Sequence, residues 1–105
     1  MDISTAAKEL KATLSAIYGN RFSKLLLYGS YARQDFNDES DVDFMLVLKD
    51  EEVNPYREIA NLNPILSELL LRYGKVFSLA ATSDEKFRNW NSSFYYFVRK
   101  EGVEV

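Results

Sequence analysis

The chain has 105 residues, 47% of them apolar, and its 13 basic and 16 acidic residues give a formal net charge of −3. These values fit one packed domain over residues 1–105; they exclude a disordered chain and disfavour binding to duplex nucleic acid. The absence of both Cys and His excludes disulfides, zinc–thiolate sites and His-based catalysis, so any bound metal must have oxygen ligands.

The first half of the chain predicts one long helix, two strands and a short helix between the strands. Apolar residues at helical spacing predict a helix over residues 5–18. A short apolar run predicts a buried strand over residues 24–28, and one or two helical turns follow over residues 30–34. After a polar turn over residues 35–40, alternating residues predict a strand over residues 41–48 with acidic residues at its entrance.

The second half predicts a long helix, a third strand and two shorter helices. Asn54 and Pro55 are a good cap and first turn for a helix that ends at Gly74. Residues 75–82 predict a strand, and two short helices follow, the last over residues 92–101. This order predicts an α/β (α+β) fold in which a small mixed β-sheet is flanked by helices.

The aromatic residues of the last helix divide between core and surface. Helical spacing places Phe94, Phe97 and Val98 on one face, which predicts that all three are buried. Tyr95, Tyr96 and the preceding Trp90 then remain as candidates for an exposed patch that contacts another chain.

The segment around Gly29 and the two following aspartates has the strongest functional pattern. A strand runs into Gly29, where the missing Cβ lets the backbone turn sharply and approach a ligand closely. The helix that opens at Ser30 presents unpaired N–H groups and a positive dipole end, which favour phosphate binding. Asp41 and Asp43 are two residues apart on one strand, so both carboxylates can reach one divalent ion. A phosphate site beside such a pair suits metal-assisted phosphoryl or nucleotidyl transfer.

Plainer interpretations of the same residues exist. Gly29 and Ser30 alone would describe an ordinary strand-to-helix turn with a serine cap, and the two aspartates alone would describe an exposed strand edge. A calcium-binding loop is also suggested by the alternation of Asp35, Asn37 and Glu39. That loop fails because Ser40 replaces its glycine and Leu46 stands where a bidentate glutamate should close the site.

The combined pattern resembles the signature of the DNA polymerase beta nucleotidyltransferase superfamily. The residues that match are Gly29-Ser30-x-Ala32-Arg33 followed by Ser40-Asp41-x-Asp43. More narrowly, the chain resembles the minimal nucleotidyltransferases (MNT) that are often encoded beside a helical HEPN protein. The resemblance implies that Gly29, Ser30, Arg33 and Ser40 bind a nucleoside triphosphate, and that Asp41 and Asp43 are catalytic and bind Mg²⁺ or Mn²⁺. The alternative for Arg33 is that it holds the phosphate loop in place by pairing with nearby acids. Tyr31, inside the motif, is a candidate to stack on the nucleotide.

The resemblance also implies a reaction and a partner. We expect transfer of a nucleoside monophosphate, AMP from ATP, to an acceptor hydroxyl on a HEPN-type partner protein, as in toxin–antitoxin pairs. The alternative is a non-catalytic, nucleotide-binding antitoxin module that masks its partner's surface. The wider superfamily has a third carboxylate on a later strand, whereas residues 75–82 contain none. Asp84 and Glu85 come just after that strand and could replace it, but with Ser83 they are more simply the start of a helix.

The location of the protein follows from two absences. The sequence has no apolar run long enough to span a membrane and no charged-then-apolar signal peptide at its first residues. We therefore expect a cytoplasmic protein without membrane contact, and an oligomer is compatible with the sequence.

Overall fold

A four-stranded mixed sheet flanked by helices forms the centre of the computed structural model, which describes residues 3–105. The elements in chain order are α1 (Ile3–Tyr18), a 3-10 turn (Gly19–Arg21), β1 (Phe22–Tyr28), α2 (Ser30–Arg33), β2 (Val42–Leu48), α3 (Pro55–Tyr73), β3 (Phe77–Ser83), α4 (Asp84–Asn89), α5 (Ser93–Glu101) and β4 (Val103–Glu104). The strand order is β3-β2-β1-β4. β1 is antiparallel to both β2 and β4, whereas β2 and β3 are parallel. The predicted fold class is confirmed.

Helix ends follow the predicted capping residues. The side chain of Asn54 accepts a hydrogen bond from the Arg57 N–H at the start of α3, and Gly74 ends that helix with a φ of 69°. Ser83 caps α4 in the same way. These local bonds satisfy N–H groups that the helices cannot satisfy themselves. Within residues 3–105 no helix has the length and apolarity needed to cross a bilayer.

The two faces of the sheet bury different side chains. Val42, Phe44, Leu46 and Leu48 of β2 join the core that α1 and α3 cover. The alternating residues Met45 and Val47 pack against the opposite layer; Phe87 of α4 and Val98 of α5 complete that layer. The predicted alternation in β2 is confirmed, and it places the side chain of Asp43 on the same face as α4 and α5.

The prediction for the aromatic residues of α5 was wrong in part. Phe94 and Phe97 are 45% and 51% exposed, although Val98 is buried as expected. Tyr95 turns inward instead, and its hydroxyl hydrogen-bonds Thr82 Oγ1 at 2.8 Å. A tyrosine ring can pack in a core when its hydroxyl has a polar partner, so spacing alone did not determine which aromatic residues of α5 were buried.

A buried hydrogen bond between α1 and α3 predicts instability at alkaline pH. Burial and the bond from Tyr18 to Glu58 raise the pKa of Tyr18 from 10.0 to about 12. The unfolded chain therefore loses this proton at lower pH than the folded chain, so stability present below pH 10 is lost between pH 10 and 12. Urea unfolding across that range should show a smaller loss in Tyr18→Phe than in wild type. Tyr56→Phe, whose ring is 88% exposed, should lose as much stability as wild type; equal losses in wild type and Tyr18→Phe would contradict the prediction.

Candidate active site

The turn at Gly29 lies directly against Asp43. Gly29 has a φ of 74° and a ψ of −154°, a conformation that residues with a side chain rarely adopt. A Cβ at this position would lie 2.5 Å from Asp43 Oδ2, closer than atoms can approach. The missing side chain therefore serves two purposes: it permits the turn, and it leaves room for the Asp43 carboxylate.

Asp43 belongs to a pair of acidic residues with little compensating charge. It is half-buried in β2, while Asp41 is exposed just before that strand. Burial raises the pKa of Asp43, the charge of Asp41 raises it further, and Arg33 partly offsets both effects. A shared cation can stabilise the ionised Asp43 carboxylate beside Asp41, and carboxylate oxygens suit Mg²⁺ or Mn²⁺. The residues present therefore fit the metal that the motif implies.

Tyr28 is a neighbour of Asp43 that the sequence reasoning did not select. The two residues are directly opposite each other in the antiparallel pair of β1 and β2. Burial and the nearby charge of Asp43 raise the pKa of Tyr28 to about 12, which keeps its hydroxyl neutral. The signal was available in principle, because opposed residues of an antiparallel pair share one face.

Arg33 connects α2 to its surroundings through two ion pairs. Its Nε lies 3.0 Å from Asp35 Oδ2 and its Nη1 lies 3.3 Å from Glu101 Oε2 of α5. The side chain is nevertheless partly exposed, and its charge acts on Asp43. This position allows Arg33 to hold the α2 turn against α5.

The helix that follows Gly29 is a single turn. α2 contains only four residues and ends at Gln34, which has a φ of 65°. A one-turn helix has a small macrodipole, so the expected dipole contribution is weaker than the sequence suggested. Individual backbone N–H groups near Ser30 remain the donors that this turn can offer to an anion.

Ser40 closes the polar loop that leads into β2. Its N–H donates to the Asn37 carbonyl at 3.1 Å, and its Oγ accepts from the Asn37 N–H at 3.0 Å. Lys75 supports the same loop by donating from Nζ to the Asp38 carbonyl. In the structure Ser40 thus orders the approach to Asp41, and its contact with a nucleotide stays a prediction.

Asp84 and Glu85 form the first turn of α4, as the sequence favours, and neither replaces a third carboxylate. Ser78 is the residue of β3 in register with Asp43, and β3 runs parallel to β2. Asp84 follows the far end of β3, roughly 20 Å from Ser78 at ~3.3 Å per residue, and it accepts a hydrogen bond from Ser23. Across residues 3–105, no group of three or more acidic side chains could hold a metal ion. The candidate metal site consists of two carboxylates.

Tyr31 does not face the candidate site. Its ring is 7% exposed, belongs to the core below α1 and α3, and stacks on Phe36 with 4.1 Å between ring centres. The prediction that it stacks on a nucleotide was therefore wrong, because helix α2 turns this side chain into the core.

The structure brings Gly29, Asp43, Asp41 and Arg33 together.

Comparisons with known proteins find nucleotidyltransferases and adenylyltransferases as the similar proteins. The family model described as "Polymerase beta, Nucleotidyltransferase" matches residues 8–93. Two proteins of Methanocaldococcus jannaschii, both named "Putative protein adenylyltransferase", are similar over nearly the whole chain. MJ0604 is 35% identical over 97% of this chain and 96% of its own length, and MJ0141 is 32% identical over 100% of both. A chain from a crystal structure of a toxin–antitoxin with AMP-PNP has the same fold, with a TM-score of 0.60 and 18% identity over 89% of this chain and 67% of its own.

Proposed function

Because the chain belongs to the polymerase beta nucleotidyltransferase family, we propose that it transfers AMP from ATP, with Mg²⁺, to a hydroxyl group of another protein. The observation that carries this proposal is the contact between the Gly29 turn and the Asp43 carboxylate. It puts a backbone surface suited to phosphate beside the oxygen ligands of a divalent ion. The name of the two relatives supports adenylyl transfer to protein.

The residues of the site divide the work between the phosphates and the metal. Gly29 lets the triphosphate approach the backbone, where the N–H groups and the Ser30 hydroxyl bind the β and γ phosphates. Asp41 and Asp43 hold the divalent ion beside the α phosphate. When bound, this ion neutralises charge on the transferred phosphoryl group and on the leaving pyrophosphate. Arg33 keeps the turn in place through Asp35 and Glu101.

The reaction replaces one phosphorus–oxygen bond with another. The acceptor oxygen forms a bond to the α-phosphorus, the bond between that phosphorus and the β-phosphate oxygen breaks, and pyrophosphate leaves. The acceptor proton is released to solvent. A strong base at the site is not essential, because phosphoryl transfer depends mainly on positioning and charge stabilisation.

The acceptor is proposed to lie on a separate protein. Within residues 3–105 most apolar side chains build the two core layers, and the described elements include no separate layer for recognising a second substrate. A helical HEPN-type partner is proposed as the acceptor, and the fold shared with a chain of a toxin–antitoxin structure supports a protein partner.

A transfer assay tests this function. The chain is incubated with its partner protein, Mg²⁺ and each of the four nucleoside triphosphates in turn. Intact-mass measurement should show one added AMP on the partner with ATP, and no addition when EDTA is present. Absence of any nucleotidyl addition under all four conditions would refute the enzymatic proposal.

A second candidate function is that of a non-catalytic module, which binds its partner and masks the partner's surface without transferring a nucleotide. The two-carboxylate site favours it, since no third acid joins Asp41 and Asp43 within residues 3–105. A masking module should copurify with its partner and neutralise it even when both aspartates are replaced by asparagine. An enzyme should lose neutralisation in that double variant.

A further inference from the structure

A cleft lies between α5 and the Gly29 turn, beside the phosphate and metal contacts described above. It encloses about 410 Å³, and its lining comprises Tyr28, Gly29, Arg33, Phe94, Phe97, Val98 and Glu101. We propose that this cleft binds the nucleoside of the triphosphate, with the base stacked on the ring of Phe97. The inference rests on the proposed function and adds the residue that contacts the base.

The cleft is continuous with the metal site through Tyr28. Tyr28 lines the cleft and is directly opposite Asp43 in the β1–β2 pair, so their side chains are neighbours on one face. An α phosphate held beside Asp43 therefore lies at the edge of the cleft. The nucleoside is joined to that phosphate through its 5′ oxygen, and the cleft is the adjoining space that can receive it.

The lining has the chemistry of a nucleoside pocket. Phe94 and Phe97 leave about half of their surfaces exposed, although apolar side chains of this size are normally covered. A flat aromatic ring offers a stacking surface to a base of any identity. Arg33 and Glu101 add hydrogen-bond donors and an acceptor at one side. Ligand pockets usually combine such an apolar wall with a few polar groups, and this volume is in their range.

Two other cavities are less suitable. A larger one, of about 620 Å³, is lined by Leu27 and Tyr31 and by the terminal residues Val103 to Val105. Because Leu27 belongs to the core under α1 and α3, the sheet separates that cavity from Asp43. A third, of about 340 Å³, is lined by Ser83 and Glu85 at the opposite end of β3. Only the cleft beside α5 borders Gly29 among these three.

Calorimetric titration with two probes tests the proposal. Mg-ATP contacts the phosphate site and the cleft, whereas magnesium tripolyphosphate contacts the phosphate site alone. Phe97→Ala should weaken Mg-ATP binding by about tenfold, the effect of losing one stacked ring, and leave tripolyphosphate binding unchanged. Phe97→Tyr should retain the affinity for ATP. Tyr56→Ala is the control, since Tyr56 is an exposed aromatic residue that does not line the cleft; it should bind both probes as wild type does.

The outcomes separate this inference from the function on which it rests. If Phe97→Ala binds Mg-ATP as wild type does, or loses both probes equally, the cleft does not hold the base. If the wild-type chain binds Mg-ATP no more tightly than tripolyphosphate, the cleft again does not hold the base, but the proposal of a phosphate site is retained. If the wild-type chain binds neither probe, the proposed function fails as well.

Discussion

Replacing Asp43 by asparagine is expected to abolish Mg²⁺-dependent AMP transfer while leaving the chain folded. The change keeps the shape of the side chain and removes one of the two charges proposed to hold the metal. Loss of a group that stabilises transition-state charge typically lowers a rate by about 10²–10³-fold, and loss of metal affinity adds to that. The measurement is the initial rate of AMP transfer to the partner at fixed Mg²⁺.

Asp38→Asn is the matched control for this variant. Asp38 is an exposed residue of the loop before β2, so the substitution changes the net charge by the same amount near the same site. It should leave the transfer rate unchanged. If Asp43→Asn and Asp38→Asn transfer AMP at similar rates, Asp43 does not serve the reaction.

The stability of Asp43→Asn provides an independent check with a defined sign. Burial and the charge of Asp41 raise the pKa of Asp43, so the folded chain binds this proton more readily than the unfolded chain. The ionised carboxylate therefore destabilises the metal-free fold once the pH exceeds its folded pKa. Without metal at neutral pH, the variant should melt at a higher temperature than wild type. The difference in melting temperature should disappear below pH 3.8, the ordinary pKa of this side chain, because residue 43 is then uncharged in wild type as well as in the variant.

The helices and strands were largely predictable because their signals are local. Asn54 caps the start of α3, and Gly74 ends the helix in a left-handed conformation. The alternation of residues in β2 defines its two faces from the sequence alone. β4 was missed because a strand of two residues has no periodicity to detect. Its existence depends on pairing with Leu26 and Leu27 of β1, which is a contact far apart in sequence.

The site was predictable in its parts and less so in its arrangement. A glycine before a helix and two aspartates at alternate positions follow from neighbouring residues. Their contact depends on the register of β1 with β2, which places Tyr28 opposite Asp43. The cleft beside α5 depends in addition on the rotation of that helix, in which Tyr95 displaced Phe94 and Phe97 from the core. Packing and the hydrogen bond of the Tyr95 hydroxyl determine which aromatic residues of α5 are buried, so spacing along the chain does not predict it.

Gly29→Ala is expected to weaken Mg-ATP binding strongly, and by more than the loss of folding stability alone would cause. The backbone conformation at Gly29 costs a residue with a side chain ~1–3 kcal/mol. In addition, the new methyl group would lie 2.5 Å from Asp43 Oδ2, so the carboxylate must rotate away from the turn. The substitution therefore fills the phosphate approach and displaces a proposed metal ligand at once. Titration with Mg-ATP should show an affinity at least about tenfold weaker.

Gly74→Ala separates the two effects. Gly74 also has a positive φ, 69°, but a Cβ there would meet nothing within 4 Å. The control therefore also places a side chain at a positive φ, although in the milder αL conformation with a ψ of 21°; it lowers stability by about 1 kcal/mol and should bind Mg-ATP as wild type does. If Gly29→Ala also retains that affinity, the carboxylate and the turn do not share a ligand, and the proposed triphosphate site is wrong. If it loses affinity while Gly74→Ala does not, the loss arises at the Gly29 turn and not from a side chain at a positive φ in general.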